Sequence, residues 1–187
     1  MRAFEFLTES KVLNEITRPA DWIEAEYILF MAGYKRLDRR DAVYAQVYAK
    51  PGSPYVLKLF QSKDTAYMAF VDLVMKNKNI HFPVFKGRMI RVTNLYHAIQ
   101  MERLTPVVEI HELGDPLTIA QTMENYMSAV SSEYRERQMN LIEKHQPGIK
   151  AACDLIADKL TPTYELDLHS QNIMMRGNVL VITDPVQ

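Results

Sequence analysis

The spacing of apolar residues changes along the chain, and the changes mark its elements. Phe4, Leu7, Val12, Leu13 and Ile16 recur irregularly at helical intervals, which predicts an amphipathic helix with its apolar side against the domain. Thr17 and Pro19 open a second helix, since proline in a first turn lacks only an N–H that has no helical partner there. Trp22, Ile23, Tyr27 and Phe30 are its apolar positions and Gly33 its stop. From Val43 the period falls to two. Residues 43–48 alternate, Lys50-Pro51-Gly52-Ser53-Pro54 turns, and residues 55–60 return as a strand.

Helical spacing resumes with Ala66, Met68, Ala69, Phe70, Leu73 and Val74, capped by Ser62 or Asp64. Apolar runs at 82–92 and 98–104 follow, and Thr105-Pro106 marks a boundary. Asp115-Pro116 starts a long helical stretch through Ile119, Met123, Tyr126, Met127, Val130 and Tyr134, with a polar end at Arg135 to Arg137 and a break at Pro147-Gly148. Another helix covers 149–160, with Ala152, Leu155, Ile156 and Leu160 inward. Residues 172–175 and 179–182 read as short strands joined by Arg176-Gly177-Asn178, because glycine and asparagine tolerate positive φ. A strand-rich first part and a helix-rich second part predict an α+β fold.

Composition narrows the partners. The 187 residues suffice for one ordinary domain or a small bilobal one, and a hydrophobic content of 48% supports a packed core. A formal net charge of -1 gives no reason to expect nucleic acid. Cys153 is the only cysteine, which excludes an internal disulfide and a cysteine-based zinc module. No apolar run approaches the roughly 20 residues of a membrane span. Residues 1–16 are broken by Glu5, Glu9, Lys11 and Glu15, unlike a secretory signal. A soluble, reducing compartment is expected.

The chemistry concentrates near the end of the chain. The hairpin at 172–182 would bring Asn172 and Asp184 together beside a loop carrying Asp167. Taken singly, these are a capping aspartate and a solvent-facing asparagine beside a satisfied histidine, His169. As an ordered set they match what phosphoryl transfer from ATP requires: a carboxylate to orient a hydroxyl, and an amide and a carboxylate to hold Mg²⁺. Asp167-x-His169-x-x-Asn172, an apolar run and Asp184 resemble the catalytic and metal-binding segment of the protein-kinase-like superfamily, in its atypical and aminoglycoside-phosphotransferase-like branches. The segment also resembles that of the phage-encoded early protein kinases of T-odd coliphages, with Asp-x-His-Ser-x-Asn-Ile-Met and a closing Ile-Thr-Asp-Pro-Val in common. The match is dense over 166–186 and looser over 35–187.

The resemblance implies a bilobal protein-kinase-like fold. Residues 1–34 would be N-terminal helices, 35–105 a small antiparallel-sheet, nucleotide-binding N-lobe, and 106–187 a truncated, mainly helical C-lobe with the catalytic loop and the metal-binding hairpin. It implies an ATP- and Mg²⁺-dependent phosphotransferase, a serine/threonine protein kinase modifying host proteins in the host cytoplasm, with neither nucleic acid nor membrane as a partner. Asp167 would orient the acceptor hydroxyl or take its proton, and Asn172 and Asp184 would hold Mg²⁺. Lys58, in Val56-Leu57-Lys58-Leu59, would hold the phosphates, although a lysine in such a strand is also a common device for blunting a sheet edge. The backbone near Glu102, in Ile99-Gln100-Met101-Glu102-Arg103-Leu104, would receive adenine.

Three departures support an alternative, a catalytically inactive kinase-like binding protein that inhibits a host factor or travels in the virion. Leu37-Asp38-Arg39-Arg40-Asp41-Ala42 stands where a glycine-rich loop would cover the phosphates. The helix from Asp64 to Met75 has no glutamate, leaving Asp64 or Asp72 to pair with the lysine. The chain ends at Gln187, shortly after the second acid. Residues 1–9 also resemble capsid-targeting peptides of tailed phages, with Leu7-Thr8-Glu9 as a cleavage signal that would leave Ser10 first. A metal hydrolase using His169 with His111 or His97 is a third reading, although the histidines lack tight ligand spacing.

Overall fold

The structure, a computed structural model of the chain, describes residues 22–37, 45–92, 95–110, 112–128 and 133–187. The expected N-terminal helix, the targeting and cleavage signals, most of the stretch at 37–42, and His111 lie outside the described residues. The protein is α+β and divides into two compact units, residues 1–64 with 84–103 and residues 65–83 with 104–187.

The first unit is built on a five-stranded antiparallel sheet. Helix α1 (Trp22–Met31) precedes strands β1 (Lys35–Arg36), β2 (Ala45–Ala49), β3 (Tyr55–Gln61), β4 (Phe85–Arg91) and β5 (Tyr96–Glu102), which lie in the order β1-β2-β3-β5-β4. Strand β3 is therefore interior, and its residues Val56 to Phe60 are all buried. That is why this stretch is apolar at nearly every position instead of alternating.

Helix α1 ends as expected at Gly33, whose φ of 85° suits glycine. The Gly33 N–H donates to Phe30 O at 2.9 Å and the Tyr34 N–H to Leu29 O at 2.9 Å, closing the last turn. The face it buries differs from the expected one. Leu29 is fully buried, in a cluster with Tyr34, Tyr48, Leu57 and Leu59, whereas Ile23, Tyr27 and Phe30 are exposed. The helix is apolar on almost every side, so periodicity could not select the packed face.

The second unit holds α2 (Thr65–Lys76), β6 (Thr105–Pro106), α3 (Pro116–Met127), α4 (Glu133–His145), α5 (Ile149–Lys159), β7 (Ile173–Arg176) and β8 (Val179–Ile182). Thr105-Pro106, which follows directly on the division between the units at 103 and 104, pairs with Met175 and Met174 as the edge of a three-stranded sheet ordered β6-β7-β8. Helix α2 buries Tyr67 and Phe70, and Phe70 meets Phe82 edge-to-face, centroids 6.1 Å apart. The long helix expected from Asp115 is two helices. Asp115 caps α3 by accepting N–H bonds from Leu117 and Thr118 at 2.9 and 3.0 Å, and Ser128, with ψ of 136°, ends it. Cys153 is fully buried on α5, where burial pushes its thiol well above the ordinary range and leaves it inert.

The start of α5 is capped from the preceding helix. Glu143 accepts the Gly148 and Lys150 N–H groups, each at 2.8 Å. Burial pushes the Glu143 carboxyl up, but these two bonds, with the charges of His81 and Lys150, bring it below the ordinary carboxylate value. A depressed folded value stabilises above the unfolded one and is lost as pH falls through the folded one. The stability difference between wild type and Glu143→Gln should therefore be largest at neutral pH and shrink as pH drops below about 4.5, as measured by thermal unfolding across pH.

Candidate active site

In the second unit, main-chain bonds gather the predicted catalytic and metal residues. Residues 165–167 run antiparallel to 185–187. Leu166 bridges Val186, the Asp167 N–H donates to Pro185 O at 2.9 Å, and the Gln187 N–H to Glu165 O at 2.9 Å. Asp167 thereby lies beside the chain that has just passed Asp184. The β7–β8 hairpin closes the loop from the other side, pairing Ile173 with Ile182 and Arg176 with Val179. Its turn takes positive φ only at Gly177, at 59°; Asn178, expected to share that role, keeps negative φ.

The Asn172 carbonyl accepts both the N–H and the hydroxyl of Thr183, at 2.9 and 3.1 Å, which sets Asn172 next to Asp184 along the backbone. The Asn172 Nδ2 donates to Asp167 O at 2.7 Å. With its nitrogen held there, the amide presents Oδ1 as its coordinating atom. An amide oxygen and a carboxylate form a hard, all-oxygen donor pair, which fits Mg²⁺, an ion that takes one or two protein oxygens and completes its shell with water and phosphate. Asp167, Asn172 and Asp184 are all half-buried, reachable by a ligand yet fixed by the main chain.

Lys58 and Glu102 belong to the first unit. Lys58 is 8% exposed, on β3 between Val47 of β2 and Ile99 of β5. An edge-guarding role is thereby ruled out, because β3 has neighbours on both sides. A lysine ammonium buried in a central strand costs free energy unless anionic or hydrogen-bonding groups meet it. Glu102 ends β5, in register with Tyr55. Its carboxylate accepts the Val84 N–H at 2.7 Å and its own N–H donates to Val84 O at 2.9 Å. Its carboxylate and its amide are thus both engaged with Val84, in the stretch whose backbone was expected to receive adenine.

Glu124 is a residue that the sequence reading missed. It lies on α3 next to the buried Met123, and its carboxyl is raised above the ordinary value first by burial and then by the charge of Asp167, offset in part by His169. Its signal was present in the helical spacing, since position 124 falls on the stripe of Ala120 and Met127. The helix of 65–76 offers Asp72 as its only acid, and that side chain is exposed.

His169 and His97 make local contacts. His169 Nδ1 accepts the Gln171 N–H at 3.2 Å, and His97 Nδ1 lies 3.1 Å from the Ser62 hydroxyl with its ring stacked on Phe60. Burial and the charge of Arg91 lower the His97 pKa. Among the described residues, which leave out His111, no group of three or more His, Cys, Asp or Glu side chains could hold a metal ion. Among the same residues no helix is long and apolar enough to cross a membrane.

No protein-family profile and no curated protein sequence matches the chain. Among solved structures, the chain is similar to Rad53 residues 1–466 in complex with AMP-PNP, at 13% identity and a TM-score of 0.45, over 83% of this chain and 38% of that one. It is also similar to the Cydia pomonella granulovirus kinase PK-1, at 14% identity and a TM-score of 0.42, over 87% of this chain and 57% of that one. The chain thus spans less than two thirds of the length of either.

Proposed function

We propose that the protein is a kinase-like phosphotransferase that uses Mg²⁺ and ATP to modify serine or threonine hydroxyls. The observation that carries this reading is the convergence of Asp167, Asn172 and Asp184 on one set of main-chain bonds, Asp167 N–H to Pro185 O and Thr183 N–H to Asn172 O. The interior position of Lys58 in a β1-β2-β3-β5-β4 sheet supports it further. Asn172 and Asp184 would hold Mg²⁺, which neutralises phosphate charge when bound. Asp167 orients the acceptor hydroxyl and accepts its proton, and Lys58 serves the phosphates. Following the likeness to T-odd coliphage kinases at 166–186, we assign it host proteins as substrates and the host cytoplasm as its place of action.

The test is transfer of the γ-phosphoryl group from radiolabelled ATP to a mixture of acceptor proteins, with and without Mg²⁺. Mg²⁺-dependent labelling is expected. ATP binding without any labelling would favour the inactive binding protein, a reading that the absence of a glutamate from α2 also favours. Lys58→Ala should weaken ATP binding by about 10- to 100-fold, the worth of one charge-assisted hydrogen bond. Its Mg²⁺ requirement should be unchanged in kind, which calorimetry with and without the metal measures.

A further inference from the structure

Strand β8 leads directly into Thr183 and Asp184, and its outer edge is held by a buried histidine that the proposed chemistry does not use. His81 lies on the connection after α2 and is 1% exposed. Its Nδ1 is 2.7 Å from Leu180 O and its Nε2 is 3.0 Å from Pro147 O. Both neighbours are carbonyls, which only accept, so each bond is made by a ring nitrogen that carries a proton, and the shorter contact, at Nδ1, sets a donor against β8. The His81 main chain adds a third tie, its carbonyl accepting the Ile182 N–H at 2.9 Å, and Asn79 Oδ1 fixes the His81 N–H at 2.8 Å.

Other side chains close the same frame. Buried Gln146 accepts the Leu180 N–H at 2.9 Å and donates to Asn178 O at 3.0 Å. Arg176 donates to Ile80 O at 2.7 Å and to Phe82 O at 2.8 Å. Both backbone groups of Leu180 and the N–H of Ile182 are therefore gripped from outside the hairpin. The strand cannot slide or tilt without leaving several buried polar groups unpaired.

We propose that His81 is a positioning residue for the metal-binding acid: by holding Leu180 and Ile182 it fixes where β8 delivers Asp184 relative to Asn172 and Asp167. This rests on the proposed Mg²⁺·ATP reading of that site. It also makes the segment after α2 part of the site's support, so a shift of that segment reaches β8 and Asp184 through the His81 imidazole and carbonyl.

The test compares His81→Ala, His81→Asn and His81→Gln. The asparagine amide nitrogen takes the place of Nδ1 and keeps the bond to Leu180, whereas the glutamine amide takes the place of Nε2 and keeps the bond to Pro147. Amide hydrogen exchange at Thr183 and Asp167, read without ligand, should quicken about tenfold in His81→Ala, the worth of one buried hydrogen bond. The Mg²⁺ concentration for half-maximal ATP binding should rise about 10- to 100-fold, as it does when an outer-shell partner of a metal ligand is lost, while metal-free ATP affinity stays constant. Asparagine should restore both quantities and glutamine neither. Rescue by glutamine instead, unchanged exchange in a folded His81→Ala, or failure of the alanine and asparagine variants to fold would each overturn the proposal. Faster exchange in His81→Ala with a wild type that binds no ATP would sink the nucleotide reading while keeping the hold on β8.

Discussion

Asp167→Asn should lower phosphoryl transfer by about 10²–10⁴-fold, the range for losing a positioned general base, with Mg²⁺·ATP affinity nearly unchanged. The substitution alters charge and little else. Asp167 is placed by its backbone, its N–H donating to Pro185 O and its carbonyl accepting Asn172 Nδ2, and neither bond involves the carboxylate. Asparagine keeps the shape and both main-chain bonds, so the loop should stay folded. It cannot take a proton from a hydroxyl. Single-turnover transfer set against calorimetric ATP affinity separates the two effects, and a matching loss of ATP affinity would make Asp167 a binding residue instead.

The second large effect is expected at Asp184. Asp184→Asn removes a charged oxygen from a hard cation, and the Mg²⁺-dependent part of ATP binding should fall by at least the roughly 10- to 100-fold that loss of an outer-shell partner costs. Metal-free ATP binding should stay as it was. The neighbouring bonds give no reason for collapse, since Thr183 and Pro185, on either side of Asp184, make the hydrogen bonds to Asn172 and Asp167 with their backbone or hydroxyl groups. A titration of ATP affinity against Mg²⁺ concentration reads the change. An unaltered metal requirement would remove Asp184 from the cation site.

The parts of the fold legible in the sequence were those where period and punctuation agree. The hairpin of β7 and β8 announced itself through two short apolar runs around Gly177, and β3 through an apolar run interrupted only by Lys58. The stop of α1 at Gly33 was legible for the same reason, whereas its packed face was not, because the helix is apolar on nearly all sides and only the tertiary structure chose Leu29. The division between α3 and α4 was hidden because apolar residues continue at helical intervals through the break at Ser128.

Within the candidate site, Asp167, Asn172 and Asp184 stand out as residue types in a recognisable order. The groups that hold them in place do not. Their ties are backbone to backbone, or run from the Asn172 amide and the Thr183 hydroxyl to carbonyls, or come from His81 and Gln146, which lie far away in sequence and whose partners are carbonyls and amides that any residue carries. Glu124 was overlooked because a single acid on an amphipathic helix reads as solvated until the loop of Asp167 is seen beside it.

The measurement that tests the central claim most directly is ATP binding by calorimetry, with and without Mg²⁺, on wild type, Asp167→Asn and Asp184→Asn side by side. Wild type and Asp167→Asn should bind ATP more tightly when Mg²⁺ is present, by the same factor, and Asp184→Asn should lose that gain. Equal loss of binding in both variants, or no effect of Mg²⁺ on any of the three proteins, would contradict the assignment of this site to metal-assisted phosphoryl transfer.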